Sequence, residues 1–327
     1  MVKAGNALIL VKAMAARSII IDCDPGHDDA IAILMALASP EELHVVGVTC
    51  VAGNAPLSHT QKNARRICEL AGRADVAVFA GCARPMLQPL RTAAHVHGQT
   101  GLDGSGLPEE PGMPLQDRHA VDFIVDACLS ADDHSMTICP LGPMTNVALA
   151  IIKDPRIISK IESVVFMGGA AFGLGNITPS AEFNIAVDPH AARVVFEAGV
   201  ELTMFGLDVT HQVITTPARL AAVRAIQTPV GRAASGMLTF YDRDNPERYG
   251  APGSPLHDPC VIAWLLKPDL FRGRRAHVAV ETDSALTLGR TVVDWWGVTD
   301  NAENAMVIDR VDANRFYELL FDRLARL

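Results

Sequence analysis

The chain has 327 residues, 49% of them hydrophobic, with a net charge of -9 and a pI near 5.6. That acidity, with no basic run carrying interleaved aromatics, excludes a nucleic acid polymer as partner, although not a neutral nucleoside. Seven cysteines, odd in number and without C-x-x-C, describe a reduced, cytoplasmic protein, and no segment reaches the ~18 uncharged apolar residues of a membrane span.

A mean hydropathy of +0.21 supports a substantial core, and no linker-like stretch divides the chain. Met1 to Ser18 resembles a weak signal peptide because Lys3 precedes an apolar run. Lys12 interrupts that run and no cleavage site precedes Ile19, so residues 1–17 read as a disordered extension or tag. A single domain is expected over 18–327.

Ile19 to Ala30, I-I-I-D-C-D-P-G-H-D-D-A, reads as a strand, a turn and a helix start. Side chains alternate along a strand, so Asp22 and Asp24 share a face, and Asp28 and Asp29 sit where a helix start favours negative charge. Four carboxylates meeting at one strand end repel one another unless a cation binds, and an all-oxygen set selects Ca²⁺ or Mg²⁺ over zinc. The bland alternative is a solvated acidic turn with an ordinary helix cap.

A helix over 30–38 ending at Ser39-Pro40 is followed by a buried strand over 43–50, a helix over 57–71 closed by Gly72, and a strand over 76–80. Such alternation implies a parallel sheet. Residues 81–118 are Gly/Pro-rich and contain His95-Val96-His97-Gly98, a functional loop in which His97 is a candidate lid residue. An H-x-H pair can ligate zinc, yet no third nitrogen or sulfur ligand is near in sequence.

The pattern resumes with a helix over 120–129, a strand over 135–139, a turn through Leu141 into a helix over 147–153, and a strand over 162–167. Gly168-Gly169 then opens a Gly-rich loop to Asn184 that lacks the G-x-G-x-x-G of dinucleotide sites. A helix over 190–198, a strand over 201–205, helices within 217–245 and a polar loop lead to His257-Asp258-Pro259. Asp258 before Pro259 suits a helix N-cap, which would make it merely structural. A helix to Leu266, three strand-like segments and a terminal helix over 313–327 complete the chain, with Trp295-Trp296 read as packing.

D-C-D-P-G-H-D-D-A resembles the amino-terminal signature of the nucleoside hydrolases. The likeness extends through V-A-G-N (51–54), H-V-H-G (95–98), F-M-G-G (166–169), A-E-F-N (181–184) and H-D-P (257–259). It implies an α/β fold with an open, mainly parallel Rossmann-like sheet, helices on both faces, and a homo-oligomer, tetramer or dimer. It also implies Ca²⁺ held by Asp24, Asp29, Asp258 and the Leu141 carbonyl, where many relatives carry Thr. Asp24 would be the general base toward a water that the metal holds, with Asp22 supporting it from behind. Asp28, Asn184 and Asp258 would take the ribose 2′- and 3′-hydroxyls, with Asn54 near metal and sugar. Asn176 and Glu182 would take the 5′-hydroxyl, Met167 would touch the sugar face, and Phe183 would also bind substrate. His97, His257 and Tyr249 would line the base side, as in inosine-uridine or pyrimidine-preferring enzymes, with His257 assisting the departing base.

Two other readings fit parts of the pattern. Asp22-x-Asp24 after a strand resembles a haloacid-dehalogenase-like phosphatase, although Pro25-Gly26 and Asp28-Asp29 suit it poorly. A non-catalytic ribose or nucleoside binder would use the same polar loops without turnover.

Overall fold

The computed structural model describes residues 16–241 and 252–327. The expectations for residues 1–15 and for Tyr249 fall outside the described residues.

Strand β1 (Arg17–Cys23) is the centre of the fold, with Ile19, Ile20 and Ile21 fully buried. A strand covered on both faces reads as a continuous apolar run, which is why it shows no alternation. Pro25 and Gly26 end it, and α1 (His27–Leu37) begins at once. All eleven residues of α1 are buried, so it is a core helix rather than an amphipathic one. Burial of its Ile31, Ile33, Leu34, Met35 and Leu37 stabilises the fold by about 2 kcal/mol each. The helix stops where the Ser39 hydroxyl donates to the Met35 carbonyl (2.8 Å), just before Pro40.

Strand β2 (Leu43–Cys50) pairs in parallel with β1, and α2 (Leu57–Leu70) leads to β3 (Val78–Ala80). Gly72, at φ +68°, lets α2 close with bonds from Gly72 N–H to Glu69 O and from Arg73 N–H to Cys68 O. The long loop after β3 contains one turn of helix, α3 (Ala94–His97), that the sequence reading leaves as loop. Then come α4 (Ala120–Ser130), β4 (Met136–Pro140), α5 (Thr145–Lys153), β5 (Ile161–Met167), the short α6 (Phe183–Val187), α7 (Pro189–Phe196) and β6 (Leu202–Phe205).

A single turn, α8 (Leu207–Thr210), and the two-residue strand β7 (Ile214–Thr215) precede α9 (Pro217–Arg224) and α10 (Pro229–Tyr241). The chain ends with β8 (Ser254–Pro255), α11 (Pro259–Leu266), β9 (Phe271–Val280), β10 (Thr291–Asp294), β11 (Ala305–Val311) and α12 (Ala313–Leu324). Trp295 packs edge-on against Phe172 and under Arg274, whereas Trp296 is exposed, so the packing expectation holds for the first tryptophan only.

The main sheet has nine strands in the order β10-β9-β11-β6-β5-β4-β1-β2-β3. Strands β11 to β3 run parallel, and the β9–β10 hairpin adds two antiparallel strands at one edge. Large apolar clusters cover both faces. Strand order reverses between β1 and β4, and ligands of open α/β sheets bind beyond the carboxyl ends at such a point. Asp22-Cys23-Asp24 and Leu141 occupy those two ends.

Candidate active site

Asp24 follows the last residue of β1 and is completely buried. The Asn54 N–H donates to its Oδ2 at 2.6 Å, while Oδ1 has no hydrogen-bond partner among the described residues. The main chain approaches it from both sides: a Cβ on Gly53 would stand 2.0 Å from Oδ2 and one on Gly142 2.3 Å from Oδ1. These glycines, in the turns after β2 and β4, are required by that closeness. Gly53→Ala is therefore expected to displace the carboxylate and lower kcat by about 10²-fold while the circular dichroism spectrum holds, because ångström-scale misplacement has effects of that size. Unchanged turnover would show that the turn can give way.

Asp29, in the first turn of α1, accepts from the Gly26 N–H (3.0 Å), the Asp24 N–H (3.2 Å) and the Asn54 amide (3.2 Å). It thus fixes the turn that delivers Asp24. Oxygens of Asp28, Asp29 and Asp258 lie within 4.8 Å of one another, the grouping among the described residues able to hold a metal ion. Asp258 stands at the N-cap position of α11, yet its side chain makes no cap bond and its carboxylate oxygen lies with those of Asp28 and Asp29, so its place is not merely that of a helix cap. The fourth member of the acidic floor is Asp258, the residue before α11, not Asp22. Asp22 lies behind it, where Oδ1 accepts from Thr49 Oγ1 (2.6 Å) and Asn146 Nδ2 (2.8 Å) and Oδ2 has no hydrogen-bond partner among the described residues.

Burial, followed by the neighbouring carboxylates, pushes the floor acids up. Asp24 is held well above the usual carboxylate range by burial and then by Asp29, and Asp258 by burial and then by Asp28. Asp28 is raised to about 8 by burial and Asp29, and Asp22 to about 7 by burial. Buried like charges with an orphan oxygen are what a divalent cation would relieve. With only oxygen donors present, the residues fit a hard cation. The Leu141 carbonyl already accepts from Asn184 Nδ2 (2.8 Å), and its second lone pair is the one left for a metal.

Above the floor is an open pocket with about 630 Å³ of empty space, the solvent at its mouth included. Asp28, Asn54, His97, Leu141, Met167, Asn176, Glu182, Phe183, Asn184, His257 and Asp258 line it together. Tyr241, Ala93 and Ile177 also line it, and no sequence signal separates them from ordinary packing residues. Glu182 caps α6, with Oε1 accepting from Asn184 N–H (2.9 Å) and Oε2 from Gly169 N–H (2.9 Å), and burial raises it to about 7. Asn176 Oδ1 accepts from the Phe183 N–H (2.8 Å). On the opposite wall His257 Nδ1 lies 2.7 Å from the Thr210 hydroxyl, and burial, with His211 next, lowers it to about 3. Its ring is neutral around pH 7.

The sequence profile of the inosine-uridine preferring nucleoside hydrolases matches residues 19–318. A pyrimidine-specific ribonucleoside hydrolase RihA of Shewanella sp. (strain MR-4) is 47% identical over 312 residues, 94% of this chain and 96% of that protein. The chain belongs to the nucleoside hydrolase family. RihA of Photobacterium profundum is 46% identical over 94% of this chain and 99% of its own. Two solved structures superpose with TM-scores of 0.88 at 32% identity, each over 94% of this chain: a plant nucleoside hydrolase, covered to 99%, and a purine-preferring ribonucleoside hydrolase from Gardnerella vaginalis, covered to 98%.

As a nucleoside hydrolase the protein is an enzyme that cleaves the N-glycosidic bond of ribonucleosides. The phosphatase and the non-catalytic binder are thereby set aside. The metal dependence of nucleoside hydrolases has a matching acidic floor here. Among the described residues no helix is long and apolar enough to cross a membrane.

Proposed function

We propose that this nucleoside hydrolase releases free base and ribose from uridine, cytidine and inosine, with Ca²⁺ held by Asp24, Asp29, Asp258 and the Leu141 carbonyl. Asp24 carries the proposal: a buried carboxylate whose Oδ1 has no hydrogen-bond partner among the described residues, in an acidic floor beneath an open pocket. Carboxylates and a main-chain carbonyl suit Ca²⁺, which tolerates irregular oxygen shells. When bound, the ion would neutralise the floor and acidify water beside it.

Asp24 then takes the proton from the attacking water as general base, positioned by the Asn54 N–H and the two flanking glycines. Asp22, held by Thr49 and Asn146, supports it from behind. Asp28, Asn184 and Asp258 hold the ribose 2′- and 3′-hydroxyls. A deoxy analogue would leave these buried groups unpaired, which gives ribose selectivity. Asn54 would lie near the metal and the sugar, Met167 touches the sugar face, Phe183 contacts substrate, and Asn176 with Glu182 receives the 5′-hydroxyl.

His97 and His257 face the base. With Nδ1 of His257 engaged by Thr210, Nε2 donates to the leaving base as negative charge develops on it. His257→Ala should then lower kcat on inosine by about 10²-fold and on a riboside with a p-nitrophenolate leaving group by much less. Equal losses on both, or a change in KM alone, would reduce His257 to a positioning role.

The relatives named pyrimidine-specific favour uridine and cytidine over inosine. The family resemblance further supports a cytoplasmic homotetramer or dimer acting in nucleoside salvage, with one catalytic domain from residue 18 onward. The deciding experiment assays base and ribose release from a nucleoside panel with and without chelator. Turnover that survives complete chelation would overturn the Ca²⁺ assignment.

A further inference from the structure

The loop between β5 and α6 brings Asn176 and Ile177 to the pocket wall without a helix or strand of its own. Two charged side chains from later in the chain hold its backbone. Asp208, in the single turn α8, accepts from the N–H groups of Ala171 (2.5 Å), Phe172 (3.0 Å) and Gly173 (2.7 Å). Arg290, immediately before β10, donates through Nη1 to the carbonyls of Gly173 (2.8 Å) and Ser180 (3.2 Å) and through Nη2 to that of Ala171 (3.0 Å). The next residue, Thr291, anchors the start of the loop, its hydroxyl accepting from the Ala170 N–H (2.9 Å) and donating to the Ala170 carbonyl (2.8 Å).

Asp208 holds only the outgoing limb of the loop. The Arg290 guanidinium joins residues 171 and 173 on that limb to residue 180 on the returning one, and its rigid fork of N–H donors suits it to several carbonyls at once. Beyond this neck the loop is packed on itself. A Cβ on Gly175 would stand 2.2 Å from the Ala181 carbonyl oxygen, and the Asn176 N–H donates to that same oxygen (3.2 Å). The Asn176 side chain in turn accepts from the Phe183 N–H across the loop. A tip closed in this way moves with its neck.

We propose that Arg290 is a positioning residue that staples the neck of this loop, sets Asn176 against the substrate, and so governs selection of nucleosides by their 5′ group. The proposal rests on the reading of Asn176 as a 5′-hydroxyl residue. Arg290 stands outside the pocket lining, so its influence on substrate passes through the loop. Without the guanidinium the carbonyls at 171, 173 and 180 turn to water, and the returning limb loses its tie to the outgoing one. Asp208 and Thr291 still hold residues 170–173, so the loop stays attached while its tip shifts. A shift of about 1 Å is enough to undo a directed hydrogen bond. A nucleoside with a 5′-hydroxyl then loses part of its advantage over one without it.

The test is the ratio of kcat/KM for uridine to that for 5′-deoxyuridine, measured on the full chain at saturating Ca²⁺ for wild type, Arg290→Met, Asn176→Ala and the double variant. Methionine keeps the apolar stem and removes the donors. The ratio is expected to fall about tenfold in Arg290→Met, with the loss carried by uridine. The double variant should show a ratio no lower than that of Asn176→Ala, because residues acting through one contact are not additive. A ratio unchanged in Arg290→Met but lowered in Asn176→Ala overturns the proposal. So do losses that add in the double variant, which give Arg290 a route to substrate other than Asn176, and equal losses on both substrates, which make it a stabiliser of the fold only. If Asn176→Ala also leaves the ratio unchanged, the 5′-hydroxyl reading itself falls and takes the inference with it. Should Arg290→Met not fold, Arg290→Lys, which keeps the charge but replaces the fork with one compact head, must lower the ratio in its place.

Discussion

Asp24→Asn is expected to lower kcat on uridine by at least about 10³-fold. The substitution keeps the side-chain shape between Gly53 and Gly142, so the fold should survive, but it removes a proton acceptor and one negative oxygen donor together. General-base catalysis alone accounts for about 10²–10⁴-fold, and a weakened metal site adds to it. Asp22→Asn, by contrast, should have a much smaller effect, because Asp22 already lies behind the floor with Thr49 and Asn146 on one oxygen. Steady-state kinetics of both variants at saturating Ca²⁺ check this. Equal losses would mean that the reacting water is served by the pair rather than by Asp24.

The second large effect is on stability. In the chelated protein Asp28 keeps its proton up to about pH 8, and Asp24 and Asp258 are also held well above the usual range. An unfolded carboxyl loses its proton near pH ~4. Between those values the native state binds more protons than the unfolded state, so stability falls as pH rises. At the proposed site Ca²⁺ would replace the protons and remove this slope. The gain in Tm on adding Ca²⁺ should therefore be wider at pH 8 than at pH 5, by roughly 5–10 °C for a few kcal/mol in a chain of this size. Thermal melts in EGTA and in excess Ca²⁺ across that range provide the measurement. Parallel curves with no Ca²⁺-dependent gap would show that these carboxylates do not form the metal site.

Much of the frame was legible because the chain marks it locally. Strand β2 begins and ends where its apolar run does, α2 stops at its glycine, and the Pro25-Gly26 break forces β1 to hand over to α1. The one-turn helices α3 and α6 were not legible, since four or five residues are too few to display a helical period. What local pattern could not give was partnership. Asp258 before a proline looks like a cap, and only its approach to Asp29 shows that its carboxylate is used elsewhere. Thr49, Asn146 and Gly142 carry no signal of their own. Their roles follow from the parallel pairing that sets Asp22 opposite Thr49 and Pro140.

The joining of Asp258 to Asp29 also bears on how the enzyme matures. Strand β1 and α1 are synthesised first, with three of the floor acids already in place, while the fourth arrives with α11 in the last quarter of the chain. A ribosome-bound or partly folded chain consequently carries an incomplete acidic floor, since contacts this distant in sequence form late. Nucleosides meet a working catalyst only after the chain has closed on itself, so hydrolytic activity reports completed folding more strictly than helix content does.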